Sequence, residues 1–238
     1  MYLSVITRLD ITYAVSTLSQ HLENPSITHL EFARHVIQYL KGMKSLRLIL
    51  GGTTPSLCGY SDADWTSTLD HHLISDFAFF LGNGSVLWSS KKQSIVILSS
   101  TESKYVALTH TAKDVIWIHK LLAKISPIYP EQSPLPSTLF CDNQCAIRLL
   151  KDSTFHAQTK HIDVHFHFIC QTISQNHISL DYIPTTDMIA DIFTKSLSFY
   201  KFSGFLVFVP FLAFTETELS SRGSVKISRR PSIISFPY

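Results

Sequence analysis

The 238 residues include only four cysteines, at positions 58, 141, 145 and 170. The sequence opens without a secretory leader, so these read as reduced thiols rather than a disulfide framework. Charge of either sign is scarce too. Only 16% of the residues are Asp, Glu, Lys or Arg, and twenty basic groups against eighteen acidic ones leave +2. The excess sits in residues 201–238, which carry five basic and two acidic groups, so residues 1–200 hold fifteen basic against sixteen acidic. Contact with nucleic acid must then come from a local patch and not from a global basic field. Long apolar runs are missing, and none approaches the roughly 18 residues of a membrane span. The most apolar stretch, Gly204 to Phe214, is short and interrupted by Pro210; no membrane partner is expected. The start, Met1-Tyr-Leu-Ser-Val-Ile6, has neither a charged leader nor an Arg-rich transit pattern. There is no glycine-rich phosphate loop, no Ser-His-Asp or Cys-His nucleophile pattern and no internal repeat. What is present is 45% hydrophobic, over a length that makes one large domain or two small ones.

Apolar spacing assigns the elements. Ile11, Ala14, Val15, Leu18 and Leu22, then Leu30, Phe32, Val36, Ile37 and Leu40, describe two helices within residues 1–50. Asp10 is placed to cap the first, Thr28 and Glu31 have capping-box spacing for the second, and Gly42 is its stop. After Gly51-Gly52-Thr-Thr-Pro55 the pattern changes to strands: Leu57 to Asp62, a hairpin of Phe77 to Leu81 and Val86 to Ser89 around Gly82-Asn83-Gly84, and Ile95 to Leu98. Glu102 to Leu122 carries the clearest helical period. A proline-rich linker, Pro127 to Pro136, leads to a strand at Thr138 to Cys141 and a short helix from Asn143. His161 to about Ser174 reads as a helix, Ile178 to Ile183 as a strand and Asp187 to Lys195 as a last helix. The order βββ-α-β-α-α-β-α predicts an α/β fold, a mixed sheet with helices on its faces.

Four acids stand where acids are unexpected. Asp62 ends the first strand, Glu102 begins the long helix, Asp142 ends the fourth strand, and Asp191 lies beside Ala190 and Ile192 in the last helix. Strand ends and a helix start can converge on one sheet edge, where carboxylates repel one another unless hard cations neutralise them. Two Mg²⁺ ions would suit such a cluster, and the matching chemistry is phosphodiester hydrolysis. Each acid also has a plainer reading: Ser99-Ser-Thr-Glu102 is a capping box, Asp62 and Asp142 are strand-end turn residues, and Asp191 lies on a solvated helix face. Cys141, Cys145, His161 and His165 fall within loose two-Cys two-His zinc spacing, although the spacer lacks a finger core.

Around these acids the sequence resembles the ribonuclease H domain of copia-type retrotransposon Pol polyproteins. The resemblance rests on Gly59-Tyr-Ser-Asp-Ala-Asp-Trp65, Trp88-Ser-Ser-Lys-Lys-Gln93, Leu98-Ser-Ser-Thr-Glu102, Cys141-Asp-Asn-Gln144, Thr159-Lys-His-Ile-Asp163 with His167-Phe-Ile169, and Ala190-Asp-Ile-Phe-Thr-Lys195. In the flank, Ile11-Thr-Tyr-Ala-Val15, Leu18-Ser-Gln20, Asn24-Pro25 and Tyr39-Leu-Lys-Gly42 resemble the region after the polymerase active site. The resemblance implies a ribonuclease H-like five-stranded mixed sheet, preceded by a helical polymerase remnant. It implies that the RNA strand of RNA–DNA hybrids is cut in an intracellular, cytoplasmic setting, with the reverse transcriptase region of the parent polyprotein as partner. By the same resemblance Asp62, Glu102, Asp142 and Asp191 are the catalytic ligands of two Mg²⁺ ions, for which Mn²⁺ can substitute. Asn143 and Gln144 are candidates for the minor groove and its 2′-OH, and Lys91 and Lys92 for phosphates. Trp65 or Trp88 could pack nearby, with Trp88 expected in the core.

The resemblance divides the chain into a polymerase remnant (1–50), a ribonuclease H-like domain (56–197) and an unrelated tail (198–238) expected to be poorly packed or disordered. Several positions depart from the pattern. His71-His-Leu-Ile-Ser-Asp-Phe77 replaces a basic and Ser-Thr-Ser-Gly stretch, placing Asp76 in the glycine position, and Leu9 replaces a proline. Lys104 replaces an acid two residues after Glu102, where it would salt-bridge or partly neutralise the metal site. Single C-to-T or G-to-A transitions reach several of these changes, which motivates a rival reading: a catalytically inactive remnant that at most binds nucleic acid.

Overall fold

The computed structural model describes residues 1–44, 46, 48–51, 56–64, 72–82, 84–96, 100–125, 136–151, 163–195, 197, 201–202 and 204–205. The strand-like sequence after residue 56 forms one five-stranded sheet. Its strands are β1 (Leu57–Asp64), β2 (His72–Leu81), β3 (Gly84–Val96), β4 (Ser137–Cys141) and β5 (Ile178–Tyr182), in the order β3-β2-β1-β4-β5. The first three run antiparallel, while β4 joins β1 and β5 joins β4 in parallel. Each parallel crossover needs a helix. These are α4 (Ser100–Ile125) between β3 and β4, then α5 (Gln144–Lys151) and α6 (Asp163–Ser174) between β4 and β5. A short α7 (Asp191–Thr194) follows. The expected mixed sheet and element order are therefore present.

Period-two alternation sends the two sides of β1 to different cores. Leu57 and Ala63 face the side covered by Tyr105, Leu108, Ala112, Val115 and Ile118 of α4, with Ala146 and Ile169 from the next two helices. Gly59 lies on this side because nothing larger fits: a Cβ there would stand 2.6 Å from both Leu139 and Phe79. Tyr60 belongs to the opposite side, stacked on Phe140 at 5.0 Å and set edge-on to Phe80. That side is closed by Leu9, Met188, Ile189, Ile192, Phe193 and Phe205.

The N-terminal segment docks on this second face. It consists of α1 (Tyr2–Ile6), a 3-10 turn at Leu9–Ile11, α2 (Thr12–Ser19) and α3 (Ile27–Gly42). Trp88 is a core residue, and its Nε1 donates to the Ser4 carbonyl at 2.7 Å. Ser16 donates to the carbonyl of Ser90. Inside the segment Asp10 accepts from Arg8 and from the Tyr39 hydroxyl, each at 2.7 Å. Removing one member of such a buried pair strands the other charge, at a cost of roughly 3–5 kcal/mol.

Several local expectations are corrected. Asp10 is no helix cap, because the buried Arg8 and Tyr39 claim its carboxylate. The capping box of α3 is built two residues earlier than expected, by Ser26 and His29. Leu22, Leu30 and Ile37 face outward, since α3 buries Val36 and Tyr39 instead. Cross-strand pairing extends β2 back to His72, so Asp76 lies inside the strand and not at its start, and Ile95 continues β3 rather than beginning another strand. Residues 185–190 form turns, leaving α7 shorter than the sequence suggests. The start of the tail packs: Phe205 is buried, and Phe202 meets Tyr39 edge-on at 6.2 Å. The proline-rich linker, Trp65, His71, His161 and the tail beyond 205 lie outside the described residues.

Two measurements check this packing. Phe205→Ala should lower the unfolding free energy by about 3 kcal/mol in chemical denaturation, which a disordered tail would not do. His119 donates to or accepts from Ser137 Oγ at 2.7 Å. Burial, then the nearby His177, holds its pKa below the ordinary 6.5. The unfolded chain therefore binds this proton more readily, so the His119 contribution is full above pH 6.5 and falls as pH drops below it. Urea denaturation at about pH 5 and about pH 7.5 should show the loss, and His119→Gln should flatten it.

Candidate active site at the sheet edge

Strand alternation and a helix start bring Asp62, Asp142 and Asp191 to one end of the sheet. Asp62 points from β1 to the same side as Tyr60, and is 1% exposed. Asp142 directly follows β4, the parallel neighbour of β1. Asp191 opens α7 with 0% exposure. Asp76 lies directly across β1–β2 from Asp62 and is equally buried. Carboxylates this close and this dry demand counter-charge.

Lysines supply it. Lys104 Nζ, from the second turn of α4, reaches Asp62 Oδ1 at 2.8 Å and also binds Asp142 Oδ1. Lys195 Nζ lies 2.9 Å from Asp191 Oδ1 and 3.9 Å from Asp62 Oδ2. Lys201 closes the other side of Asp191 at 2.9 Å. Burial alone would raise the pKa of Asp62, but Lys104, and more weakly Lys195, hold it below the ordinary carboxylate range. Burial would lower that of Lys104; Asp62 and Asp142 outweigh this and raise it, so the ammonium stays charged. At Asp191 burial prevails over both lysines and the pKa is raised.

This geometry can be tested against divalent ions. Asp62 offers one oxygen to a cation shared with Asp142 and the other to a cation shared with Asp191. Two cation positions joined by one bridging carboxylate, all with hard oxygen donors, suit a Mg²⁺ or Mn²⁺ pair. The donor types fit, but ammonium groups occupy both positions and set the spacing of the carboxylates. Glu102 is half-buried in the first turn of α4. Among the described residues no group of three or more His, Cys, Asp or Glu side chains gathers tightly enough to hold a metal.

The other candidates are placed as follows. Asn143 Oδ1 accepts from the Ala146 amide at 2.9 Å, which commits that oxygen to the start of α5, whereas Gln144 is exposed. Lys91 and Lys92 pair with Ser75 and Ile74, just beyond Ser90, which sits opposite Asp76. They line a groove of about 340 Å³ between β3 and the first two helices. Thr185, not singled out in the sequence, donates to Asp142 Oδ2 at 2.9 Å. Lys195 and Lys201 were likewise missed. The i,i+4 spacing from Asp191 signals Lys195, whereas only folding brings Lys201 back to the site. Of the zinc candidates, Cys141 is buried and Cys145 exposed, while the side chains of His161 and His165 lie outside the described residues.

The sheet order and the acidic edge define an α/β domain with a mixed five-stranded sheet and buried carboxylates at one end. Comparison with known proteins names its family. Over 203 residues the chain is 38% identical to the retrovirus-related Pol polyprotein from transposon TNT 1-94 of Nicotiana tabacum, covering 85% of this chain and 15% of that one. It is 35% identical over 201 residues to the Pol polyprotein from transposon RE1 of Arabidopsis thaliana, covering 84% and 13%. The crystal structure of LC11-RNase H1 in complex with RNA/DNA hybrid aligns with a TM-score of 0.40 at 10% identity, covering 56% of this chain and 88% of that chain. No protein-family model matches. The chain belongs to the retrovirus-related Pol polyproteins of copia-type transposons. It spans 13 to 15% of the length of these relatives.

Thiol chemistry offers a check on this end of the sheet. Burial pushes the Cys141 thiol up to about 11, although the Asn143 amide and Lys104 pull the other way. An alkylating reagent should therefore modify exposed Cys145 first and Cys141 only on unfolding, as read by mass spectrometry.

Proposed function

We propose that this domain hydrolyses the RNA strand of RNA–DNA hybrids, with Asp62, Glu102, Asp142 and Asp191 as its catalytic acids. The single observation that carries the reading is the division of the Asp62 oxygens between two cation positions, one shared with Asp142 and one with Asp191. Asp62 and Asp142 would hold one Mg²⁺ or Mn²⁺, Asp62 and Asp191 a second, and Glu102 would share the first and orient the scissile phosphate. When bound, such a pair activates a water and stabilises the leaving oxygen.

The chain's own groups provide the rest. Thr185 fixes the Asp142 carboxylate by donating to the oxygen that Lys104 does not use. Lys91 and Lys92 lie on the β3 side of the same edge, placed to hold phosphates. The Asn143 amide nitrogen and exposed Gln144 are the groups proposed to read the minor groove. Since residues 1–200 are nearly neutral, the attached reverse transcriptase region is the partner proposed to supply substrate affinity. In this reading residues 1–50 are the end of that region, 56–197 the nuclease and 198–238 a separate tail whose first residues have been recruited to the core.

The test is incubation of the purified chain with a labelled RNA–DNA hybrid and Mg²⁺ or Mn²⁺, beside Asp142→Asn. Cutting should be confined to the RNA strand, leave a 5′-phosphate and a 3′-hydroxyl, and vanish in the variant. Absence of cutting by a chain shown to be folded would sink the reading and leave a non-cutting, hybrid-binding module to be tested by binding.

A further inference from the structure

We infer that Lys104 is a built-in competitor for the divalent ions: its ammonium occupies the point shared by Asp62 and Asp142, so metal loading requires the lysine to leave. The inference rests on the reading of these acids as metal ligands and adds what the metal-free chain does with them.

Three observations carry it. First, Lys104 touches both carboxylates at once, through one oxygen of each, so it fills a bridging position and is no peripheral ion pair. Second, its side chain is only 16% exposed, against 40% for Lys195 and 36% for Lys201. The two outer lysines can retreat into water, whereas Lys104 is walled in. Third, three lysines stand against Asp62, Asp142 and Asp191, so each of these carboxylates has an ammonium partner without metal. A tethered ammonium is held at a high effective concentration that dilution does not reduce. A divalent ion must therefore outcompete an internal cation and also shed part of its own hydration. The same lysine has a second effect. By neutralising Asp62, which lies opposite the buried Asp76, it lets the carboxylates coexist in a folded, metal-free chain.

The experiment compares Mn²⁺ binding by calorimetry for the full chain, Lys104→Gln and the double variant Asp62→Asn/Lys104→Gln. Lys104→Gln should bind Mn²⁺ at least about tenfold more tightly than the native chain. It should also melt lower without metal and gain more in Tm when Mn²⁺ is added. The gain in affinity should disappear in the double variant. Equal, saturable binding by the native chain and Lys104→Gln would overturn the inference while leaving the metal-site reading intact. Binding by neither would overturn both. A gain that survives Asp62→Asn would place the metal elsewhere and overturn the inference as well.

A measurement on the native chain covers the case in which Lys104→Gln does not fold. Labelling with an amine-reactive reagent, read by mass spectrometry, should modify Lys104 slowly without metal and faster as Mn²⁺ saturates the site. Labelling unchanged at saturation would mean that the lysine never leaves, which the inference does not survive.

Discussion

A carboxylate taken out of water must find positive charge, and at Asp62 that requirement organises this molecule. Asp62 sits at the end of the central strand, with 1% of its surface exposed and another buried aspartate directly across the strand pair. Each of its oxygens faces an ammonium group, and each ammonium is shared with a further aspartate. Helix α4, the turn after β4, helix α7 and the first residues of the tail therefore meet at one electrostatic knot. Removing a single charge from it would expose the others to repulsion in a dry setting.

The two faces of the sheet serve this edge differently. On the α4 side a continuous apolar core fixes the helix, and so fixes the direction from which Lys104 enters. On the other side the N-terminal helices and Phe205 close over Tyr60, Phe80 and Phe193, and this packing carries Lys201 back to Asp191. The site thus takes a counter-ion from the residues that follow α7. The arrangement gives Asp62, Asp142 and Asp191 each an ammonium partner within the folded chain.

Much of the sheet was legible because alternation and helical period are local properties of the chain. The order of elements along the chain, the long α4 and the positions of Asp62, Glu102, Asp142 and Asp191 near element ends all follow from such patterns. The misses have local causes too. Ser26, not Thr28, caps α3 because the backbone turn comes two residues earlier. Asp10 looked like a cap, since nothing in its neighbourhood of sequence announces that Tyr39 donates to it from 29 residues away. Asn143 looked available for substrate, yet its oxygen closes the first turn of α5.

By itself the sequence determined which residues are apolar at which period, and therefore the α/β class, the antiparallel start of the sheet and the likeness to a ribonuclease H domain. It also determined that four acids and an unusual Lys104 stand at element ends. Only the tertiary structure decided that Lys104 reaches two of those acids at once, that Lys195 spans Asp191 and Asp62, and that Lys201 belongs to the site. The physical reason is that a pattern along the chain fixes the side of an element on which a residue lies. Charge neutralisation depends on distances between side chains tens of residues apart, and those distances exist only once the two cores have closed on the sheet.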